Sequence, residues 1–337
     1  MSSKVKVTKI NQAICEKNLD HLRLLGQTEE GFVNDGLRRL VWPMLLLGPT
    51  GSSNKPYSQE KHTDEDQLAL DVHRSSLPVS RNRGKRQRQR EKSDISVVAT
   101  QVLRANPDLH YYQSNPYLRV SMMFVLPWLR TDAMEKDLEK VTTNLALLYP
   151  LIRQVDPEVA NFLLESGTPP YFALSWVITW FSHDIEDPGS IVRLFDLFIS
   201  SHPLMPLYLS ASVVLHQRQA LLDSECDYPT LHTLLTHSVK GAIPESVIEN
   251  AISMSCQVPP GKLREIASGR VKTSQSPVTS RLSSFVRLVG PWISRMLQSR
   301  SFRIAGSSLL VILAALIFRP SLDLFFPTIY STGSSST

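Results

Sequence analysis

Asn34-Asp35-Gly36-Leu37-Arg38-Arg39-Leu40-Val41-Trp42-Pro43-Met44-Leu45-Leu46 is the stretch from which the fold is first legible. Asparagine and aspartate just ahead of an apolar run have short side chains that cap a helix start. The segment is therefore expected to open a helix carrying Arg38 and Trp42. Working outward, Ile10, Ile14, Leu19, Leu22 and Leu25 form an imperfect helical stripe upstream. Downstream, Gly48 to Ser58 reads as a loop and Gln67 to Ser76 as a turn or short helix. Asp94 is placed to cap a helix carrying Ile95, Val98, Val102 and Leu103, with Asn106-Pro107 ending it. Leu138, Val141, Leu145 and Leu148 recur at helical spacing, and Leu151, Ile152 and Val155 follow Pro150. Tyr171 to Phe181, Ile191 to Ile199 and Pro206 to Leu222 are dense apolar segments of helical length. Period-2 alternation is scarce, so the expected body is all-α and ends near Pro259.

The 337 residues, 42% hydrophobic and 20% charged, suffice for a substantial core. Cys15, Cys226 and Cys256 are odd in number and far apart, which argues against a disulfide framework and fits a reducing, cytosol-facing body. Met1 to Lys9 is polar and basic with no apolar run after it, so no cleavable signal peptide is expected. The net charge of +5 is unevenly placed. Between Lys262 and Arg303 nine Lys or Arg face one acid, Glu265, and a second basic cluster runs Arg81, Arg83, Lys85, Arg86, Arg88, Arg90, Lys92. Such asymmetry points to an anionic partner surface. For Arg81 to Lys92 a solvated loop is the preferred reading, and the lack of an aromatic residue for base stacking argues against nucleic acid.

The last apolar run, Ile304 to Phe318, is free of charge. It is short beside the about 20 residues a bilayer requires, but snorkelling by Arg303 and Arg319 can extend it. A buried core helix has a similar length. A membrane span is preferred, because a polar linker precedes the run and only a short tail follows. Arg295, Arg300 and Arg303 place its N-terminal side in the cytosol, and Phe285 to Leu297 is a candidate interfacial segment.

Three segments carry a family resemblance: Arg38-Arg39-Leu40-Val41-Trp42-Pro43-Met44-Leu45-Leu46, Leu68-Ala69-Leu70-Asp71-Val72-His73-Arg74-Ser75, and His110-Tyr111-Tyr112-Gln113. In that order they resemble the R-x-x-x-W-x-x-L-L, I-x-x-D-x-x-R and Y-x-Q motifs of TBC-domain GTPase-activating proteins for Rab GTPases. Phe172 to Trp176 and Val192 to Phe198 look like later helices of the same domain, and the resemblance spans about residues 10 to 260. Each motif is weak alone; the ordered set is specific.

The resemblance implies a TBC-type helical domain plus a C-terminal transmembrane helix. It implies residues 1–30 as a helical extension, 31–260 as the Rab-GAP domain, 261–303 as a basic polar linker, 304–318 as the anchor and 319–337 as a tail. The implied partner is a Rab GTPase in its GTP state, of early secretory (ER-to-Golgi) vesicle transport, met on the endoplasmic reticulum membrane by a body in the cytosol. Membrane-shaping proteins are further expected partners. No cofactor or metal of its own is expected, since GTP and Mg²⁺ come with the GTPase. Arg74 would be an arginine finger and Gln113 a glutamine finger, both supplied in trans, with Asp71 orienting Arg74 from one helical turn before it. Arg38, Trp42 and Tyr111 would support the fingers or contact the Rab. The chemistry fits those residue types. A permanently charged, forked guanidinium neutralises charge developing on the transferred phosphoryl group, and a carboxamide can donate to phosphate and accept from the attacking water.

The sequence departs from the family after Gln113, where Ser114-Asn115-Pro116 stands in place of the usual glycine and the stretch before Glu135 is about one helix short. Serine lacks glycine's conformational range. A catalytically weak, membrane-tethered Rab-binding scaffold is thus the alternative. Gly48 to Lys55 fails the spacing of a phosphate loop. Cys226, His232 and His237 lack the tight spacing of metal ligands, and Asp184, Glu186 and Asp187 read as a solvated turn.

Overall fold

The computed structural model describes residues 2–47, 60–74, 84–105, 107 and 139–269. All belong to the first of the two units of the chain, Met1–Gly290. The described residues form helices and turns with no strand. The loop expected over Gly48 to Ser58, the residues Tyr111 and Gln113, and the anchor and tail from residue 304 lie outside them.

The first three helices are α1 (Ser3–Cys15), α2 (Leu19–Gln27) and α3 (Asp35–Leu47). Asn18 caps α2 by accepting from the His21 N–H at 3.0 Å, and Asn34 accepts from the Leu37 N–H at 3.0 Å at the head of α3, as the sequence indicates. Leu37, Val41 and Leu45, four residues apart, line one face of α3 and are buried with Ile10, Ala13, Leu22, Leu25 and Phe32. Pro43 lies inside α3, where it contributes no N–H to the helix.

Next come α4 (Glu65–Arg74) and α5 (Lys85–Ala105), which pack side by side. Among the described side chains, Leu68, Val72 and Leu103 are buried there. The helix expected from Asp94 starts earlier, at Lys85, so most of the basic cluster is helical rather than loop. Lysine, arginine, glutamine and glutamate are all good helix formers, and Lys85 to Lys92 contains little else.

The larger body comprises α6 (Glu139–Leu145), α7 (Leu148–Val155), α8 (Pro157–Glu165), α9 (Leu174–Thr179), α10 (Pro188–Ile199), α11 (Met205–His216), α12 (Arg218–Leu222), α13 (Tyr228–His237), α14 (Glu245–Gln257) and α15 (Pro260–Ala267). Asp156, Asp187 and Asp227 each cap the following helix through a backbone N–H three residues on, and proline occupies the first turn in each case. Asp187 is thus a cap rather than a merely solvated acid. Tyr171 to Phe181 divides into a 3-10 turn, Pro170–Ala173, and α9, which ends where Trp180 and Phe181 take left-handed φ of 51° and 65°. Their rings are thereby turned inward: Trp180 lies 5.1 Å from Phe198 and Phe181 stacks on Trp176 at 5.6 Å. Pro206 to Leu222 likewise divides at Gln217 into α11 and α12.

The centre is α11, buried on all sides from Met205 to Val214. A helix so enclosed must satisfy its polar side chains internally. Ser212 donates to the Val247 carbonyl at 2.7 Å, Tyr208 to the Val258 carbonyl at 2.6 Å and Ser210 to its own Pro206 carbonyl at 2.8 Å. The helical body does not stop near Pro259. Leu263 and Ile266 of α15 are buried in the same core, so the segment expected as linker from residue 261 opens with a packed helix. Among the described residues no helix is long and apolar enough to cross a membrane; Ile304 to Phe318 is not among them.

Candidate functional site

Asp196 stands in the middle of the apolar helix α10 and is 0% exposed. A carboxylate there must be met by donors, and four groups meet it. The Arg38 Nε–H donates to both carboxylate oxygens at 3.1 and 3.0 Å, and its second guanidinium nitrogen lies 2.9 Å from Oδ2. The Trp42 indole N–H donates to Oδ1 at 2.8 Å, and the Phe32 backbone N–H to Oδ2 at 2.9 Å. Burial pushes the Asp196 carboxyl above its usual range, and the Arg38 guanidinium, Phe32 N–H and Trp42 N–H pull against that. Arg38 and Trp42 can share this acceptor because residues four apart lie on one helical face. Asp35, exposed, closes a second pair with Arg38 at 3.1 Å.

The approach is close on the other side too. Gly31 has a φ of 52°, and a Cβ there would stand 2.3 Å from Asp196 Oδ2. Only glycine adopts that backbone without strain and leaves room for the carboxylate.

A second buried network ties the same elements together. The Arg193 guanidinium is paired with Glu245, its Nε 3.1 and 3.2 Å from the two carboxylate oxygens. It also donates to the carbonyls of Gly26 and Gln27 at 3.2 Å each, at the end of α2. Lys6, 1% exposed, donates to the carbonyls of Thr28, at 3.2 Å, and Glu29. Burial and the nearby Arg193 lower its ammonium to about 8.

Arg74, the expected finger, is the last residue of α4, and Asp71 lies in the same helix. That helix is braced at its opposite end. Arg104 of α5 grips Glu65 with two bonds, 2.6 and 2.9 Å, and the His62 N–H adds a third to Glu65 at 2.8 Å. The Arg104 hydrogen bond holds the Glu65 carboxyl down at about 2. The structure thus gathers Arg38 and Trp42 on Asp196 and sets Arg74 on a separate, braced helix. Sequence reasoning did not assign Asp196 or the Glu65–Arg104 brace. For Asp196 a signal was present: an acid inside Leu194-Phe195-Asp196-Leu197-Phe198 has no apolar reason to be there. Cys226 is exposed and donates to the Phe162 carbonyl at 3.6 Å, and among the described residues no group of three His, Cys, Asp or Glu is gathered for a metal.

Residues 35–222 match the model of the Rab-GTPase-TBC domain. The chain is 33% identical over 296 residues to TBC1 domain family member 20 of Bos taurus, covering 82% of this chain and 73% of that protein. The Homo sapiens protein of the same name is 32% identical over the same shares of each chain. The GTPase-activating protein gyp10 of Schizosaccharomyces pombe is 30% identical over 261 residues, 72% of this chain and 69% of that one. Among solved structures, the Ypt/Rab-GAP domain of Gyp1p superposes with a TM-score of 0.55 at 13% identity, covering 76% of this chain and 98% of that one, a likeness of fold.

Proposed function

The chain belongs to the Rab-GTPase-TBC domain family, and from that premise we propose that it stimulates GTP hydrolysis by a Rab of early secretory traffic, with Arg74 as arginine finger and Gln113 as glutamine finger. The supporting observation is the position of Arg74 as the last residue of α4, inside the matched segment, with Asp71 in the same helix and the far end clamped by Glu65 and Arg104. A finger entering another protein's site works best from a helix held firmly enough to lose little freedom on docking.

In this reading the Rab supplies GTP, Mg²⁺ and the water. The Arg74 guanidinium neutralises charge building on the phosphoryl group in the transition state, an effect of about 10³ to 10⁵ in rate. The Gln113 carboxamide orients the water. Asp71 holds the Arg74 fork, and Arg38 and Trp42 act through Asp196 to keep α3 seated rather than touching the nucleotide. Tyr111 contacts the Rab. The charge-free run Ile304 to Phe318, with arginines ahead of it, supports a tail anchor in the endoplasmic reticulum membrane with the body in the cytosol.

Single-turnover GTP hydrolysis against a panel of purified Rabs tests this. One Rab or a few are expected to be accelerated, and Arg74→Ala is expected to abolish nearly all acceleration while leaving Rab binding within a few-fold. No acceleration of any Rab, or an unimpaired Arg74→Ala protein, defeats the reading. The second reading, a tethered Rab-binding scaffold, is favoured by Ser114-Asn115-Pro116 after Gln113. It requires that a transition-state mimic of GTP bind the complex no better than the GTP state does.

A further inference from the structure

Helix α5 is eleven residues longer than α4, the helix beside it. The pair is antiparallel: Glu65, the first residue of α4, is bonded to Arg104 at the end of α5, and only ten residues separate Arg74 from Lys85. At 1.5 Å per residue, the start of α5 projects roughly 16 Å past the end of α4. This projecting part carries Lys85, Arg86 and Arg90, all exposed, and among the described residues none pairs with them. Their position opposes the helix dipole. No acid stands in the first turn of α5, and cations occupy the end that already bears partial positive charge. An anionic neighbour would relieve that repulsion. Arg86, Arg90, Ser93 and Val97 follow one another at helical intervals as an exposed stripe, with Val97 54% exposed.

We propose that the projecting half of α5 is a selectivity element, onto which an acidic surface patch of the partner GTPase docks beside the Arg74 helix. The inference rests on the reading of Arg74 as the finger: a body docked on the last residue of α4 meets the basic half of α5, which runs on past that residue in the antiparallel pair. A bilayer surface fits less well. No aromatic or large apolar anchor lies between Lys85 and Gln89, and Glu91 and Asp94 interrupt the positive charge.

The test uses the full chain in detergent and the Rab it accelerates most, with the double variant Arg86→Glu/Arg90→Glu. At low ionic strength its KM is expected to rise about tenfold or more, with kcat within twofold, since peripheral charges govern encounter rather than chemistry. The wild-type KM should climb with salt and the variant's should not. Arg86→Ala/Arg90→Ala should shift KM in the same direction by less, and charge reversal of the acidic patch on the Rab should restore the Glu variant. Unchanged thermal midpoints exclude misfolding. If wild type is active and the variants share its KM and salt dependence, the proposal is overturned. It is overturned equally if KM holds and the variants instead lose sedimentation with phosphatidylserine vesicles. If wild type accelerates no Rab, the finger reading fails first and this one with it.

Discussion

Arg38 and Asp196, 158 positions apart, form a two-point contact in which one guanidinium nitrogen donates to both oxygens of a fully buried carboxylate. Trp42 shares that carboxylate. The contact fastens α3, which begins the matched family segment, to α10 in the larger body.

Replacing Asp196 with alanine strands a largely buried guanidinium and an indole N–H. The expected loss is about 3 to 5 kcal/mol, the usual cost of breaking one side of a buried pair. Chemical denaturation of wild type and Asp196→Ala checks this. A change below 1 kcal/mol would mean that Arg38 reaches water and that the contact does not hold α3.

Gly31→Ala tests the same place from the backbone. The added methyl would press on the Asp196 carboxylate from a left-handed φ of 52°. A destabilisation larger than about 1 kcal/mol is expected, the strain of the backbone alone accounting for that much. The double variant Gly31→Ala/Asp196→Ala should lose less than the sum of the two, because the conflict with the carboxylate carbon and oxygen is removed and only that with the residue 196 Cβ, 2.8 Å away, is left.

Glu65 gives a prediction in pH. Its carboxyl, ordinarily at 4.5, is depressed to about 2 in the folded chain by Arg104. The pair therefore contributes its full stability above pH 4.5, and that contribution is lost as pH falls toward 2. Protection factors of α4 amides, with the intrinsic pH dependence of exchange divided out, should fall over this window in wild type. In Glu65→Gln protection should be low already at pH 6, with little further change. If Arg74 is the finger, that variant should also lower kcat more than Rab affinity.

Lys6 gives a second prediction in pH, at the basic end of the scale. Its ammonium is lowered from 10.5 to about 8 by burial and Arg193. Between those values the unfolded chain holds a proton that the folded chain has released, so stability attributable to Lys6 rises with pH from about 8 to 10.5. The difference in unfolding free energy between wild type and Lys6→Met, followed over that range, should show the rise; a flat difference would place Lys6 in water.

Much of the helical body was legible because caps and apolar spacing are local. Asn34 opens α3 where the sequence says it should, and Asn106 follows the last residue of α5. The breaks inside Tyr171 to Phe181 and Pro206 to Leu222 were not legible. Trp180 and Phe181 accept left-handed backbone only because tertiary ring packing rewards it, and nothing in the local pattern announces that. The helix start at Lys85 is hidden for the converse reason: a charged run reads as solvated chain, whereas its residues have high helix propensity. In the site, Arg38 and Trp42 were found by motif, but their common acceptor lies more than 150 residues away. Only the fold brings it to them.

The anchoring of Arg193 on the last carbonyls of α2, and of Lys6 on those just after it, has a practical consequence. The matched family segment begins at residue 35, yet α1 and α2 supply Ile10, Ala13, Leu22 and Leu25 to the packing beneath α3, and the stretch from Gly26 to Glu29 accepts both buried cations. Trimming the polypeptide to the family boundary would bare that apolar floor and leave Arg193 with Glu245 as its remaining acceptor. The smallest fragment able to stand alone therefore starts ahead of α1, in territory that a homology-drawn border would discard.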